Sequence, residues 1–197
     1  GNDGQALMNM FGKTTKRFLT VPTIHDIYNK NISNCYRNVL NRLNDRYETE
    51  FPRGTSLVCA CEKGRFEDVK LLITGYNDVN GSNGNNNNMT LKEYVNQKGR
   101  NSSGSSRYTP LMAAAWFEHF QVVKYLIEQG EADPNIARDS DGYNALHSAV
   151  YNNRTTTELI ELLLTHMSLD SINKKDRWRY TPLDQAYLLN HSPIRQE

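Results

Sequence analysis

The pentapeptide Arg-Tyr-Thr-Pro-Leu occupies residues 107–111 and returns unchanged at 179–183. Between the two stands Asn144-Ala145-Leu146-His147, and upstream stands Thr55-Ser56-Leu57. The four stretches, aligned on residues 55, 109, 144 and 181, lie 54, 35 and 37 residues apart. Two of these intervals are near 33 with small extensions, and the third is near 33 with an insertion of about 21. A period of that length restricts the chain to small units that cannot bury an apolar face alone and must stack on their neighbours. The hydrophobic fraction, 38%, is low for one thick core but suits a thin array in which each unit buries one face.

Each unit reads as a pair of helices. Thr109 is placed to cap an N-terminus through its hydroxyl, and Pro110 fits the first helical position, where its missing N–H costs nothing. Leu111 with Ala113, Ala114 and Ala115 gives a short helix whose small face lets a neighbour pack close. Phe120, Val123, Leu126 and Ile127 form the apolar stripe of a second helix. Gly130 reads as its stop, and Asp133-Pro134-Asn135 begins an extended turn. Residues 54–73, 109–130 and 139–147 share a pattern that resembles the ankyrin repeat, which runs roughly D-x-x-G-x-T-P-L-H-x-A-A-x-x-G-H-x-x-V-V-x-L-L-x-x-G-A-D-x-N. The resemblance covers about 50–197. It implies an all-α ankyrin-repeat solenoid of stacked helix-turn-helix units with β-turn fingers, acting as a non-catalytic protein-interaction scaffold.

The departures from that pattern carry expectations of their own. Glu118 and Asn153 stand where the family has Gly. Only His147 keeps the signature His; Val58, Met112 and Asp184 replace it. The finger Gly survives as Gly142 but is Arg53, Arg107 and Arg179 elsewhere, so those fingers must turn differently or carry strain. The expected layout is a tail over 1–21, a degenerate capping repeat or helices over 22–53, a repeat over 54–80, a polar insertion over 81–106, repeats over 107–138 and 139–175, and a partial repeat over 176–197. Within 22–53 a short element, Thr23 to Asn29, precedes a longer helix whose stripe is Ile32, Cys35, Tyr36, Val39, Leu40, Leu43 and Tyr47. Asn80 and Asn96 can each serve as the closing Asn of the first repeat. The chain stops in mid-repeat, as a fragment of a longer array or a short cap would.

Charge and composition narrow the function classes. With 23 basic and 22 acidic residues the net charge is +1, which provides no global field to draw nucleic acid or a membrane surface. No run of 18 apolar residues predicts a membrane span, and no charged-then-apolar leader opens the chain, although it begins with Gly. Three cysteines, Cys35, Cys59 and Cys61, are too few and too unevenly placed for a disulfide framework, which points to a reducing compartment, cytoplasmic or nuclear. Gly12-Lys13-Thr14 resembles the end of a phosphate-binding loop, but the required upstream Gly is Leu7. No catalytic, metal or cofactor site is expected. Cys59 and Cys61 read as structural, and the resemblance implies that His119 and His147 bridge neighbouring turns.

The resemblance also implies where a partner would bind: the two residues after each Ala pair and the residues around each finger. In this chain these are Glu62 and Lys63, Trp116 and Phe117, Tyr151 and Asn152, and Leu188 and Leu189, with Gly54, Tyr108, Tyr143 and Tyr180 before the caps and Ser140, Asp141, Arg177 and Trp178 in the fingers. Aromatic and Arg side chains dominate interface energies. The expected partner-binding set is therefore Trp116, Phe117, Tyr108, Tyr143, Tyr151, Arg177, Trp178, Tyr180 and Leu188. The run Lys174-Lys175-Asp176-Arg177-Trp178-Arg179 reads either as a solvated loop or as recognition of an acidic protein or peptide. A regulatory or substrate-recruiting domain of a larger enzyme is the alternative reading.

Overall fold

A computed structural model describes residues 24–81, 89–104, 107–151 and 155–191. The tail expected over 1–21, the Gly12-Lys13-Thr14 triplet, Asn152 and most of the Asn-rich run lie outside them. The chain divides into two units, Gly1–Ile32 and Ser33–Glu197. The elements are α1 (Ile24–Glu50), α2 (Ser56–Glu62), α3 (Phe66–Gly81), α4 (Leu91–Asn96), β1 (Gly99–Arg100), β2 (Arg107–Tyr108), α5 (Pro110–Trp116), α6 (Phe120–Glu128), α7 (Ala145–Tyr151), α8 (Thr157–His166), α9 (Leu169–Ile172) and α10 (Pro182–His191). In the Ser33–Glu197 unit the short helices α2, α5, α7 and α10 pack one on the next, and α3, α6 and α8 form a second row behind them.

The caps behave as their chemistry demands, each with a local variation. Thr109 Oγ1 accepts from the Met112 N–H at 3.2 Å. Thr181 Oγ1 accepts from the Asp184 N–H at 3.2 Å, and Asp184 Oδ2 accepts the Thr181 N–H in return at 2.9 Å, a reciprocal cap built with Asp. Asn144 replaces the usual Thr and does two jobs. Its Oδ1 accepts from the His147 N–H at 3.1 Å, and its Nδ2 donates to the Ser171 carbonyl at 2.7 Å, tying α7 to the turn of the next unit. Thr55 makes no side-chain cap bond. Its Oγ1 accepts from the Arg100 N–H at 3.0 Å while its own N–H donates to the Arg100 carbonyl at 2.9 Å. The β1–β2 hairpin therefore holds the start of α2.

Asn96, rather than Asn80, takes the closing position. Its Oδ1 accepts from the Asp133 N–H at 2.7 Å and its Nδ2 donates to the Glu131 carbonyl at 3.0 Å. Asn135 repeats the arrangement one unit on, accepting from the Ser168 N–H at 2.8 Å. The extra chain thus enters between α3 and α4, and the following finger is itself drawn out into the hairpin, with Gly99 opposite Tyr108 and Arg100 opposite Arg107. Tyr76 and Tyr94 stack at 4.0 Å, and Tyr76 donates to the Met89 carbonyl at 2.9 Å, which fixes α4 against α3.

Residues 24–50 are one continuous helix, not a short element followed by a longer one. The stretch has neither Gly nor Pro to break it. Near its C-terminal end Leu43 and Tyr47 are buried, and the Tyr47 hydroxyl donates to Asp68 Oδ2 at 2.8 Å. Arg46 pairs with the same carboxylate and Arg65 with Glu50. Gly75 lets α1 approach α3, since a Cβ there would meet Leu40 at 2.8 Å.

The departures at glycine positions resolve individually. Glu118 adopts φ 61°, matching Gly64 at φ 63° in the unit before. Arg179 has φ 71°, beside Gly142 at φ 80°, so this finger keeps the left-handed turn and carries its strain. Arg53 and Arg107 are not left-handed; Arg107 lies in β2, so its finger turns differently. After α6 the left-handed residue is Glu131, φ 56°, not Gly130. Gly130 instead provides closeness, for a Cβ there would stand 2.9 Å from the Leu126 carbonyl oxygen.

Equivalent leucines separate the middle of the stack from its last unit. Leu57, Leu111 and Leu146 are buried, Leu111 at 1% exposure, whereas Leu183 is 79% exposed. Leu111→Ala is expected to lower unfolding free energy by about 2–5 kcal/mol, and Leu183→Ala to stay within about 0.5 kcal/mol of the parent. Urea titration distinguishes them; equal losses would mean that Leu183 is covered. Relief of backbone strain predicts that Arg179→Gly raises stability by about 0.5–1 kcal/mol. A midpoint that falls instead would show that the Arg side chain, not the turn, matters there.

Candidate functional site

The ends of α5 and α7 and the tips of three fingers bring most of the expected contact residues together. Trp116, at the end of α5, stacks on Tyr151 at the end of α7, with ring centroids 4.6 Å apart and planes 24° apart. Tyr108 also meets Trp116, edge-on at 6.5 Å. Tyr143 lies 6.4 Å from Tyr151 and 6.1 Å from Trp178, the latter nearly perpendicular. The result is one row of rings, Tyr108, Trp116, Tyr151, Tyr143 and Trp178, crossing three successive units. These separations and tilts fall in the favourable range for aromatic pairs.

The members of the row and the neighbouring Phe117 and Tyr180 differ in burial, which decides what each can do. Phe117 and Trp178 are 46% and 57% exposed, and Tyr151 and Tyr180 also face water. Tyr143, expected as a contact residue, is only 7% exposed. Its ring stacks on His147 at 5.1 Å, and its hydroxyl accepts from Gln185 Nε2. Burial, aided by the nearby Asp176 charge, raises its phenol above the ordinary 10.0 against the Gln185 bond. Tyr143 therefore supports the row instead of offering a free surface. Trp116 and Tyr108 are half-buried. Leu188 is exposed on α10, and among the described residues neither it nor Tyr180 joins a ring pair.

Two aspartates, Asp176 buried and Asp141 partly buried, shape the finger tips. Asp176 Oδ1 accepts from the N–H groups of Trp178 and Tyr180, both at 2.9 Å, and its Oδ2 accepts from Gln185 Nε2 at 3.1 Å. Asp141 Oδ1 accepts from the Tyr143 N–H at 3.2 Å, and the Asp141 carbonyl accepts from the Arg177 N–H at 2.8 Å. The exposed Arg177 guanidinium lies 5.3 Å from the Trp178 ring centroid. A turn fixed by its own Asp side chain thus presents Arg177 and Trp178 at a defined place.

Arg138 is a member of the site that the sequence reading did not contain. Its guanidinium lies 4.6 Å from the Tyr108 ring and 5.3 Å from the Tyr143 ring. Its Nε donates to Asp141 Oδ1 at 2.8 Å. It links the fingers of two units by cation–π contact on both sides. The available signal was Arg138-x-x-Asp141, an oppositely charged pair three residues apart within a finger.

Beside Trp116 lies a notch of about 120 Å³ lined by Glu62, Asn101, Tyr108, Ala113, Trp116 and Phe117. Glu62, expected at an exposed contact position, is buried at 8% exposure. Ser102 reaches it with its backbone N–H at 2.7 Å and its hydroxyl at 2.5 Å, and Lys63 stands 3.3 Å away. Burial raises its pKa, but the Ser102 and Lys63 contacts outweigh burial and hold the carboxyl below its ordinary 4.5, ionised at neutral pH.

The histidines bridge units. His119 Nε2 lies 3.0 Å from the Glu62 carbonyl of the preceding unit. His147 Nδ1 lies 2.8 Å from Asn144 Oδ1, and its Nε2 3.4 Å from the Tyr180 carbonyl of the following one. Cys59 and Cys61 are buried and unpaired; burial pushes the Cys59 thiol up to about 11 and Cys61 higher still. Among the described residues no group of His, Cys, Asp and Glu is placed to share a metal ion.

A family model described as ankyrin repeats, in three copies, matches residues 25–138 and 82–176. The chain belongs to the ankyrin repeat family. Its fold is accordingly the all-α ankyrin stack. Ankyrin repeats are generally protein–protein interaction modules and typically non-catalytic. The chain is also similar to a protein of Arabidopsis thaliana named zinc finger CCCH domain-containing protein 66, with 40% identity over 72 residues. That match covers 36% of this chain and 12% of the relative, so the chain matches only a small part of that longer protein. No helix among the described residues is long and apolar enough to cross a membrane.

In this ankyrin stack His147 makes stability depend on pH. Burial lowers its pKa below the ordinary 6.5, opposed by the Tyr180 carbonyl and the Asp176 and Asp141 charges. The unfolded chain therefore binds the proton more readily. The stabilisation is present above about pH 6.5 and is lost as pH falls below that value. Melting temperatures of the parent and of His147→Gln, measured between pH 7.5 and 5, should show a shallower acid decline in the variant. Parallel curves would remove His147 from the account.

Proposed function

We propose that this ankyrin domain is a non-catalytic interaction module that receives a segment of another protein across its concave groove. The exposed sides of Trp116, Phe117, Tyr151 and Trp178 form the contact, and one side chain of the partner enters the notch beside Glu62. The observation that carries this reading is the row of rings crossing three units, with Phe117 and Trp178 about half in water although the stack does not need them there. Large aromatic groups that are partly desolvated and held in place before binding are the residues from which interface hot spots are made. The fixed turn that presents Arg177 beside Trp178 gives the C-terminal end a preference for acidic groups, and Tyr180 and Leu188 extend the same surface.

The greater length of the matched Arabidopsis thaliana protein favours a second reading, in which this stack is a regulatory or substrate-recruiting domain of a larger multidomain enzyme. Both readings place the contact on the same rings.

The roles of the rings can be separated by mutation. Phe117→Ala and Trp178→Ala should each weaken partner capture about tenfold or more, the equivalent of more than 1 kcal/mol, with melting temperatures within about 2 °C of the parent. Trp116→Ala should lower both affinity and stability, because its ring is held between Tyr108 and Tyr151. Pull-down with the parent, these variants and Lys124→Glu on the outer row provides the comparison. Proteins retained by Phe117→Ala and Trp178→Ala but lost by Lys124→Glu would place the interface on the opposite face.

A further inference from the structure

A second site lies at the finger of the first repeat. The loop before α2 and the β1–β2 hairpin enclose a cleft of about 510 Å³. Arg53, Lys98, Arg100 and Arg107 line it together with Pro52 and Thr55 among others, and no acidic residue does. Lys98 Nζ is engaged by Asp139 at 2.5 Å. Arg107 donates through Nη2 to the Lys98 carbonyl at 3.2 Å, which directs its guanidinium. Arg53, Arg100 and Arg107 have no acidic partner among the described residues, and all three are exposed.

The walls are held by close backbone approaches. Gly99 rests on Thr55, where a Cβ would meet Oγ1 at 2.5 Å, and Gly104, at φ 73°, rests on the Arg53 stem, where a Cβ would meet Cβ at 2.5 Å. Arg100 is bonded to Thr55 through both its N–H and its carbonyl. The three guanidiniums are thus gathered on a fixed frame in a chain whose net charge is only +1. Four gathered cations with Asp139 as the one acidic group paired to them among the described residues are unfavourable, and the arrangement is relieved when further anionic groups enter. Arg forks match carboxylates in pairs of hydrogen bonds.

We infer that this cleft binds an acidic peptide segment whose carboxylates pair with Arg53, Arg100 and Arg107. A nucleic acid would need a basic track along which successive phosphates lie. Here the cations converge on one cleft, and one of them, Lys98, is already held by Asp139. The site is separate from the aromatic row and does not depend on its role.

Fluorescence anisotropy with a labelled ten-residue polyglutamate tests the assignment, with a labelled ten-nucleotide oligothymidylate as competitor class. Arg53→Gln/Arg107→Gln should weaken polyglutamate binding at least fivefold at 50 mM NaCl. Lys70→Gln/Lys124→Gln, which removes the same charge from the outer row, should leave it within twofold. Melting curves of both double variants confirm that they fold. Absence of binding by the parent, equal losses in both variants, or no loss in either would overturn the inference. Tighter binding of the oligothymidylate with the same Arg dependence would overturn the peptide assignment.

Discussion

The close stacking of the small-faced helices is the constraint on which the rest depends. Ala113, Ala114 and Ala115 are all but inaccessible, as are Cys59, Ala60 and Cys61 one unit before and Ala149 one unit after. Nothing larger fits where these helices approach each other, and interiors at this density tolerate little change of volume. Because the inner helices are only 7 to 10 residues long, none can be stable by itself. Its neighbours supply the burial, and the caps fix where each helix begins. The finger positions follow from those beginnings, so the distances between rings on adjacent fingers are set by helix packing.

Apolar stacking does not by itself fix how one unit is rotated on the next; the polar bridges do. Asn96 and Asn135 each clip the start of the following turn. Asn144 reaches the Ser171 carbonyl, His119 reaches back to Glu62, and His147 reaches forward to Tyr180. The Asn135 bond is exposed and the others are partly buried, and a group left unpaired on burial costs about 1–3 kcal/mol. A slip of one unit against another would break several together. Cation–π contact of Arg138 with Tyr108 and Tyr143 adds a link on the finger side.

How much of this was legible depended on whether the cause lay within one unit. The period, the Thr109 cap, the small helix and the bridging histidines follow from short-range patterns and from the family resemblance, and they stand in the structure. The closing role of Asn96 could not be separated from Asn80, because the choice rests on the distant Asp133 N–H. The continuity of α1 was missed by giving Thr23–Asn29 an end that no Gly or Pro enforces. Tyr143 holds the same place before its cap as Tyr180, yet one is buried and the other exposed. Gln185, from the helix after the next finger, makes the difference, and no local pattern carries that information. The basic cleft joins residues 53, 98, 100 and 107, which converge only when the hairpin folds back on Thr55.

The exposed rings and the strained backbone coincide. Arg179, in the left-handed region, stands between Trp178 and Tyr180, and Glu118, also left-handed, follows Phe117. A non-Gly residue in that conformation costs roughly 1–2 kcal/mol, and Gly at the equivalent places, Gly142 and Gly64, shows that the fold accepts the unstrained choice. The outer row also carries a left-handed non-Gly residue, Glu131 after α6, but no row of exposed rings among the described residues. Its exposed apolar side chains, Leu71 and Leu164, sit on different helices and are 37% and 39% exposed. Isolated apolar residues are ordinary on any protein surface, whereas a contiguous row is not. A stack selected only for its own stability would cover such rings and use Gly at both turns. Both features fall on the finger edge, the edge on which the proposed contact rests.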